Sequence, residues 1–354
     1  MAKASILPVL ELEMTDYGYI IDRVTPTFRQ LAGSSVLITG AAGFIGSYLM
    51  DFFRAVNQRL FIGNPCRVLG LDNMVAASRA PVSGDGVEFQ LIKARDSLSQ
   101  WRPRDWYIHA ASIAAPAIYL HKPLETIEAN VDMTVDVLNA ARYHSVNGVL
   151  HMSSSEVYGN PTVLPTPEDY WGNVSFMGPR AVYGESKRFA ETLCQTYYRE
   201  FKVPVKIARP FNIYGPGENI NDGRLVPQLM KALIHDRPFT IYGDGKASRT
   251  LCYVADAVVQ LLAVLLDGQE GEAYNVGSDE ELTLTQIAGL GDLIKSGLAV
   301  EYVKHHEVMA GAPTRWCPEL TKIKRLSNLM PMVTLDGLRL TYEYYSDVKA
   351  LCED

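Results

Sequence analysis

The turn Gly40-Ala41-Ala42-Gly43-Phe44-Ile45-Gly46 constrains this chain more than any other feature, because of what stands on either side of it. A short β-branched run at 36–39 predicts a buried strand before it, and residues 44–56 predict a helix after it. Glycines spaced G-x-x-G-x-x-G between a strand and a helix let the backbone turn tightly and approach a phosphate. The phosphate then rests on the N–H groups of the helix N-terminus. The alternation continues, with strands expected at 67–72, 106–110, 149–153 and 205–208. Helices are expected at 124–143, where Ile127, Val131, Val135 and Leu138 keep helical spacing, and at 183–201. Strands and helices alternating at these lengths imply an α/β fold, a Rossmann-type doubly wound parallel sheet.

After Pro210 the texture changes. Loops rich in Gly, Pro and Asn separate helices expected at 225–234 and 254–266. We therefore expect an N-terminal arm at 1–33, serving packing or partner contact, in which 17–23 reads as strand or short helix. A dinucleotide-binding domain follows at 34–210, with later segments returning to it. Residues 211–354 form mainly a smaller, discontinuous C-terminal substrate-binding lobe. The net charge of -7 gives no general attraction to nucleic acid or to an anionic membrane. Five scattered cysteines without a C-x-x-C pair point to reduced thiols and a cytoplasmic setting, not to disulfides or a zinc site. No signal-peptide core or membrane-length apolar stretch is present. The adjacent His305 and His306 point apart on an extended chain, so no metal is expected there.

Asp72 ends the second strand, where its carboxylate can accept hydrogen bonds from an adenosine ribose diol and would repel a 2′-phosphate. With Asn73 next to it, this favours NAD over NADP, although Arg79 is close in sequence. The strand at 149–153 runs into Ser153-Ser154-Ser155-Glu156-Val157-Tyr158-Gly159, at the edge where open α/β sheets bind ligands. Tyr183 and Lys187 lie four apart on one face of a helix. Hydroxyls, a carboxylate, a tyrosine and a lysine together suit proton and hydride transfer. The tyrosine, with an ordinary pKa of about 10, is drawn toward phenolate by a neighbouring ammonium.

With Tyr183-x-x-x-Lys187 added, the chain resembles the nucleotide-sugar branch of the extended short-chain dehydrogenase/reductase family over roughly residues 35 to 345. Further landmarks are His109-Ala110-Ala111, Arg209-Pro210-Phe211-Asn212-Ile213-Tyr214-Gly215-Pro216 and Tyr242-Gly243-Asp244-Gly245. Tyr170-Trp171-Gly172-Asn173-Val174, Asn221-Asp222-Gly223-Arg224-Leu225-Val226 and Ser154-Ser155-Glu156 are most similar to UDP-glucuronate decarboxylases. The resemblance implies that Gly40, Gly43, Phe44, Ile45, Gly46, Asp72, Asn73, Asp96 and Ala111 hold NAD. It implies that Tyr119, Asn212, Arg224, Tyr242, Arg249 and Arg315 contact a nucleotide sugar, with Arg315 near the reacting sugar and phosphates. Tyr183, Lys187, Ser154, Ser155, Glu156 and Arg315 would carry the chemistry, and Tyr183 and Lys187 would also touch NAD. In this family 4,6-dehydratases usually have Asp-Glu where this chain has Ser155-Glu156, and most 4-epimerases have no carboxylate at either position.

Those features imply C4 oxidation of a UDP-linked glucuronate, loss of carbon dioxide from the resulting β-keto acid, and re-reduction or release of the keto pentose. A 4,6-dehydratase or 4-epimerase is the nearest alternative, and a non-catalytic NAD-binding regulator an alternative of another class. The helices at 124–143 and 183–201 match the family's dimer surface, so a homodimer is expected.

Overall fold

The computed structural model describes residues 16–79, 81–92, 103–304 and 314–353. Its centre is a parallel sheet. In chain order its parts are β1 (Ser35–Thr39), α1 (Phe44–Arg59), β2 (Arg67–Asp72), β3 (Val87–Leu91), β4 (Trp106–His109), α2 (Met133–His144), β5 (Gly148–Met152), α3 (Ala181–Phe201) and β6 (Val205–Pro210). α4 (Leu225–His235), α5 (Val254–Asp267) and β7 (Ala273–Val276) follow. The strand order is β7-β6-β5-β4-β1-β2-β3, and every pairing is parallel.

The sheet has seven strands, two more than the sequence pattern predicts. β1 and β5 are buried at every residue, so they read as unbroken apolar runs. The edge strand β3 buries only Val87 fully. β7 carries a buried Asn275 among its apolar residues. Neither shows the run that marks a central strand.

Helices cover both faces. α2 and α3 pack on one face around Val137, Leu138, Cys194 and Ile207. α1 and α5 pack on the other, where α5 buries every residue from Val254 to Leu265. A helix buried on all sides is mostly apolar, and its two buried polar residues, Asp256 and Gln260, are hydrogen-bonded, to Tyr19 and Gly277 among others. Small strand pairs beyond β6 build the remaining lobe. Phe239–Tyr242 pairs with Val300–Val303, and Ser248–Thr250 lies between Glu281–Thr283 and Arg315–Trp316. Ile213–Tyr214 pairs with Cys252–Tyr253. Among the described residues no helix is long and apolar enough to cross a membrane.

The described part of the N-terminal segment packs against the α1/α5 face. It is helical at its start, and Phe28 stacks on Phe61 at 5.6 Å. Asp16 is buried and accepts hydrogen bonds from the hydroxyls of Tyr48 on α1 (2.8 Å) and Tyr253 (2.7 Å). Burial pushes its carboxyl from an ordinary 3.8 up to about 6, against the two tyrosine hydrogen bonds that pull it down. A raised carboxyl pKa stabilises the fold fully below the unfolded value, and that contribution is lost as pH rises through about 6. Asp16→Asn keeps an acceptor for both tyrosines without the buried charge. Thermal melts are expected to place this variant above the unsubstituted protein at neutral pH, by at most about 3 kcal/mol. The gap should close toward pH ~4. A lower melting point at neutral pH would contradict this account.

Candidate active site

The sheet order reverses between β1 and β4, and the crevice above that point is where open α/β sheets take their ligands. The glycine turn forms its floor. Gly40 has a φ of 74°, and a side chain there would meet the backbone of Ala110 and Ala111, just past the end of β4, at 2.6 Å. A Cβ on Gly46 would collide with the Gly40 carbonyl, so the helix enters close against the turn. Gly43 caps α1, and no side chain bonds the first-turn amides of that helix, which begins with Phe44 and Ile45. Gly46→Ala is expected to destabilise the fold by about 1–3 kcal/mol through overpacking. It should also weaken NAD binding, while a nucleotide sugar still binds. Calorimetric titration of each ligand checks both effects.

Asp72 sits at the rim. One carboxylate oxygen accepts from the Ala42 amide (2.9 Å) and the other from the Met74 amide (2.6 Å), so the acid braces the turn it serves. Asn73, Ala111, Val75 and Ile113 line the same hollow. The guanidinium of Arg79 is engaged by Asp51, and its Nε donates to Ser47 (3.3 Å). That pairing answers the ambiguity its sequence position raises, because its charge is already held by an acid. Asp96 lies outside the described residues, as do His305 and His306. Glycines packed too tightly for side chains, uncapped amides and an acid at the rim fit an NAD pyrophosphate and ribose.

Tyr183 and Lys187 meet the end of β5, as their spacing predicts. The hydroxyl of Ser154 caps the short 3-10 turn Ser155–Tyr158 and accepts from the Glu156 amide at 3.2 Å. Its own proton is therefore directed elsewhere, and it acts on Tyr183. Burial pushes the Tyr183 phenol above its ordinary value. Hydrogen bonds with Ser154 and Ser112 and the charge of Arg224 work in the opposite direction, and Glu156 works with burial. The Lys187 ammonium is buried and donates to the Met152 carbonyl at 2.7 Å. Burial pulls it down to about 7. His109 and His151 lie near it, their rings 5.3 Å apart and tilted by 45°, and burial holds both imidazoles well below their ordinary range.

Ser112 and Asn130 have no counterpart among the residues singled out from sequence. Ser112 donates to Asn130 Oδ1 (2.7 Å), and Asn130 Nδ2 donates to Ser186 (2.8 Å). Asn130 lies in a π-turn, Glu128–Asp132, which leads into α2. The bulge is what aims this side chain inward, and π-bulges gather at functional sites. No local sequence signal marks it.

Glu156 forms an ion pair with Arg180, whose side chain is as shielded as its own. Arg180 also was not singled out, although it lies three residues before Tyr183 on the same helical face. Tyr119 stacks flat on Tyr183, with centroids 5.3 Å apart and planes 6° apart, so it backs that ring. Asn212, at a φ of 39°, donates to the Thr250 carbonyl and lines the cleft. Arg224 lines it too, with its guanidinium shared between Glu218 (2.8 Å) and Asp222. Ser155 is buried beside Glu156 and also faces the cleft.

Two expected contacts lie elsewhere. Arg315 is exposed and forms a two-pronged ion pair with Glu281, both bonds at 2.7 Å. Successive residues of a strand point to opposite faces, and here the neighbour Trp316 takes the inward position and lines the cleft. Arg249 stands behind it, its guanidinium 5.6 Å from the Trp316 ring centre. Tyr242 is half-buried in the Phe239–Tyr242 strand and is not among the residues lining the cleft. Neither Arg315 nor Tyr242 is among the residues that line the cleft.

A glycine turn at the switch point, with a tyrosine and a lysine facing it from α3, defines an NAD-dependent enzyme of the extended short-chain dehydrogenase/reductase class. The chain belongs to the NAD dependent epimerase/dehydratase family, which it matches over residues 36–277. It is 34% identical to UDP-glucuronic acid decarboxylase 1 of Xenopus tropicalis, over 88% of this chain and 72% of the relative. It is also 34% identical to UDP-glucuronic acid decarboxylase 5 of Arabidopsis thaliana, over 87% of this chain and 88% of that one. Its fold is similar to the crystal structure of a dTDP-glucose 4,6-dehydratase from Streptomyces venezuelae with NAD bound. The TM-score is 0.78 and the identity 27%, over 89% of this chain and 98% of that one.

Proposed function

We propose that the protein is a UDP-glucuronate decarboxylase. The observation that carries this reading is the pair Ser155-Glu156 at the end of β5, with Glu156 held by Arg180 beside Tyr183. A serine stands where a dehydratase would place its acid, yet the carboxylate that most 4-epimerases lack is present. The decarboxylases among the chain's relatives support the same reading.

NAD, when bound, accepts the hydride from C4 of the sugar. Tyr183, as the phenolate, takes the C4 hydroxyl proton and becomes the phenol, and the hydrogen bond from Ser154 favours the phenolate beforehand. Lys187, fixed by the Met152 carbonyl, positions the ribose next to Tyr183. The C4 ketone is β to the C6 carboxylate. The C5–C6 bond then breaks, carbon dioxide leaves, and the electron pair passes into an enolate spanning C5, C4 and the C4 oxygen. Hydrogen bonds from Tyr183 and Ser154 stabilise that oxygen. Glu156, held by Arg180, organises the C6 carboxylate for cleavage and the water that returns a proton to C5. Hydride return to C4 yields a UDP-pentose, and release before that step yields the keto sugar. A homodimer goes with this reading, because Leu124, Ile127 and Phe189 stand exposed on neighbouring helical turns.

Purified protein given NAD+ and UDP-glucuronate labelled at C6 is expected to release labelled carbon dioxide. The reading fails if no label is released while a neutral UDP- or dTDP-hexose is converted, or if UDP-glucuronate is only epimerised.

A further inference from the structure

We infer that a second hollow, which meets the reaction cleft across the Glu156–Arg180 ion pair, is the passage through which solvent supplies the proton taken up at C5. This rests on the decarboxylation reading above and names the route its proton takes.

Three observations mark the passage. Glu156 and Arg180 line the reaction cleft, and they also line a separate hollow bordered by Gly159, Asn160, Asn173, Ser175, Gly178 and Gly184. The ion pair is thus the partition between the two spaces, and its side chains are enclosed but not sealed, at 16% and 19% exposure. The hollow is also a built one. Gly159 and Asn173 form a β-bridge, the Asn160 amide donates to the Asn173 carbonyl (3.0 Å), and Asn173 Nδ2 donates to the Asn160 carbonyl (3.0 Å). Asn160, Asn173 and Ser175 are exposed, so the far end opens to solvent. Finally, Gly184 lies inside α3, where glycine weakens a helix relative to alanine. A Cβ there would stand 3.5 Å from the Glu156 carbonyl oxygen and 3.5 Å from Val174, an ordinary contact, so packing does not demand a glycine. Its missing side chain keeps the hollow open beside Glu156.

The proton balance requires such a route. Tyr183 takes the C4 hydroxyl proton and gives it back to the C4 oxygen when hydride returns, so it has none to spare for C5. Loss of carbon dioxide leaves an electron pair in the enolate. That pair forms the new C5–H bond with a proton from water, and the hydroxide left behind is neutralised by a proton from solvent. Each turnover therefore consumes one solvent proton. With NAD on the glycine turn and the sugar at Tyr183, both ligands stand in the cleft, and the hollow behind Glu156 is a way in that neither covers. A bound water needs about two to four polar partners, and Glu156, Asn160, Asn173 and Ser175 supply them along its length.

The test follows one turnover of NAD-loaded protein with C6-labelled UDP-glucuronate in heavy water, quenched into ordinary acid. Reduced nicotinamide reports oxidation, released label reports decarboxylation, and deuterium at C5 reports protonation on the protein. Gly184→Leu fills the hollow and should slow deuterium uptake at C5 by roughly tenfold or more, as expected for an impaired proton transfer. Oxidation and label release need no solvent proton, so both should stay within about threefold. Gly184→Ala, whose methyl group fits, should match the unsubstituted protein. Unchanged deuterium uptake in Gly184→Leu overturns the passage. So does an equal slowing of oxidation and label release, because the substitution would then be disturbing the sugar. If melting curves show that Gly184→Leu does not fold, Ser175→Trp at the exposed mouth carries the same comparison. If the unsubstituted protein releases no label, the decarboxylation reading falls and the passage with it. If it releases label and the folded variant takes up deuterium at the original rate, only the passage falls.

Discussion

Tyr183→Phe is expected to stop oxidation of the sugar at C4, lowering turnover by roughly a thousandfold, within the range for loss of a positioned acid-base group. Phenylalanine keeps the ring that stacks on Tyr119, so packing is preserved and the loss is chemical. Ser154 and Ser112 remain, but an aliphatic hydroxyl ionises far less readily than a phenol, so neither supplies the base that accepts the C4 hydroxyl proton as hydride departs. Single-turnover measurements should show no reduced nicotinamide, while NAD and UDP-glucuronate bind within a few-fold of their original affinities. Substantial reduced nicotinamide in this variant would remove Tyr183 from the base role.

Glu156→Gln should act later. Its partner Arg180 stays in place, and Tyr183 and Lys187 are untouched, so C4 oxidation and cofactor binding continue. Release of carbon dioxide and reprotonation at C5 should slow by roughly a hundredfold or more. Reduced nicotinamide and a keto uronate would then accumulate, a signature that distinguishes this variant from Tyr183→Phe. Rapid quenching followed by mass spectrometry reads the intermediate directly. Slow oxidation with normal decarboxylation of whatever forms would assign Glu156 to the first step instead.

What could be read from the sequence follows how local each signal is. β1 and β5, buried at every position, and the glycine turn between β1 and α1 are consequences of neighbouring residues, and they were legible. β3 was not, because an edge strand exposed along most of its length has no apolar run to show. β7 hides for another reason. Its Asn275 is polar because it accepts from the Tyr158 hydroxyl and donates to carbonyls at Thr166 and Glu319. In the site, Tyr183, Lys187, Ser154 and Glu156 come together as expected, since a helix face and a strand end place them. Arg315 and Trp316 could not be told apart by type alone. The pairing of their strand with Ser248–Thr250 decides which of the two faces inward. Arg180 was available to a reader who extended the Tyr183 face back one helical turn.

Asp16 links regions that never share a ligand. Tyr48 rides on the helix that begins at the glycine turn, and Tyr253 belongs to the short strand paired beside Asn212, whose carbonyl accepts from the Cys252 amide. One carboxylate oxygen thus clamps the cofactor side of the cleft to the sugar side from behind the sheet. A residue remote from the cleft thus braces the helix of the glycine turn against the strand beside Asn212.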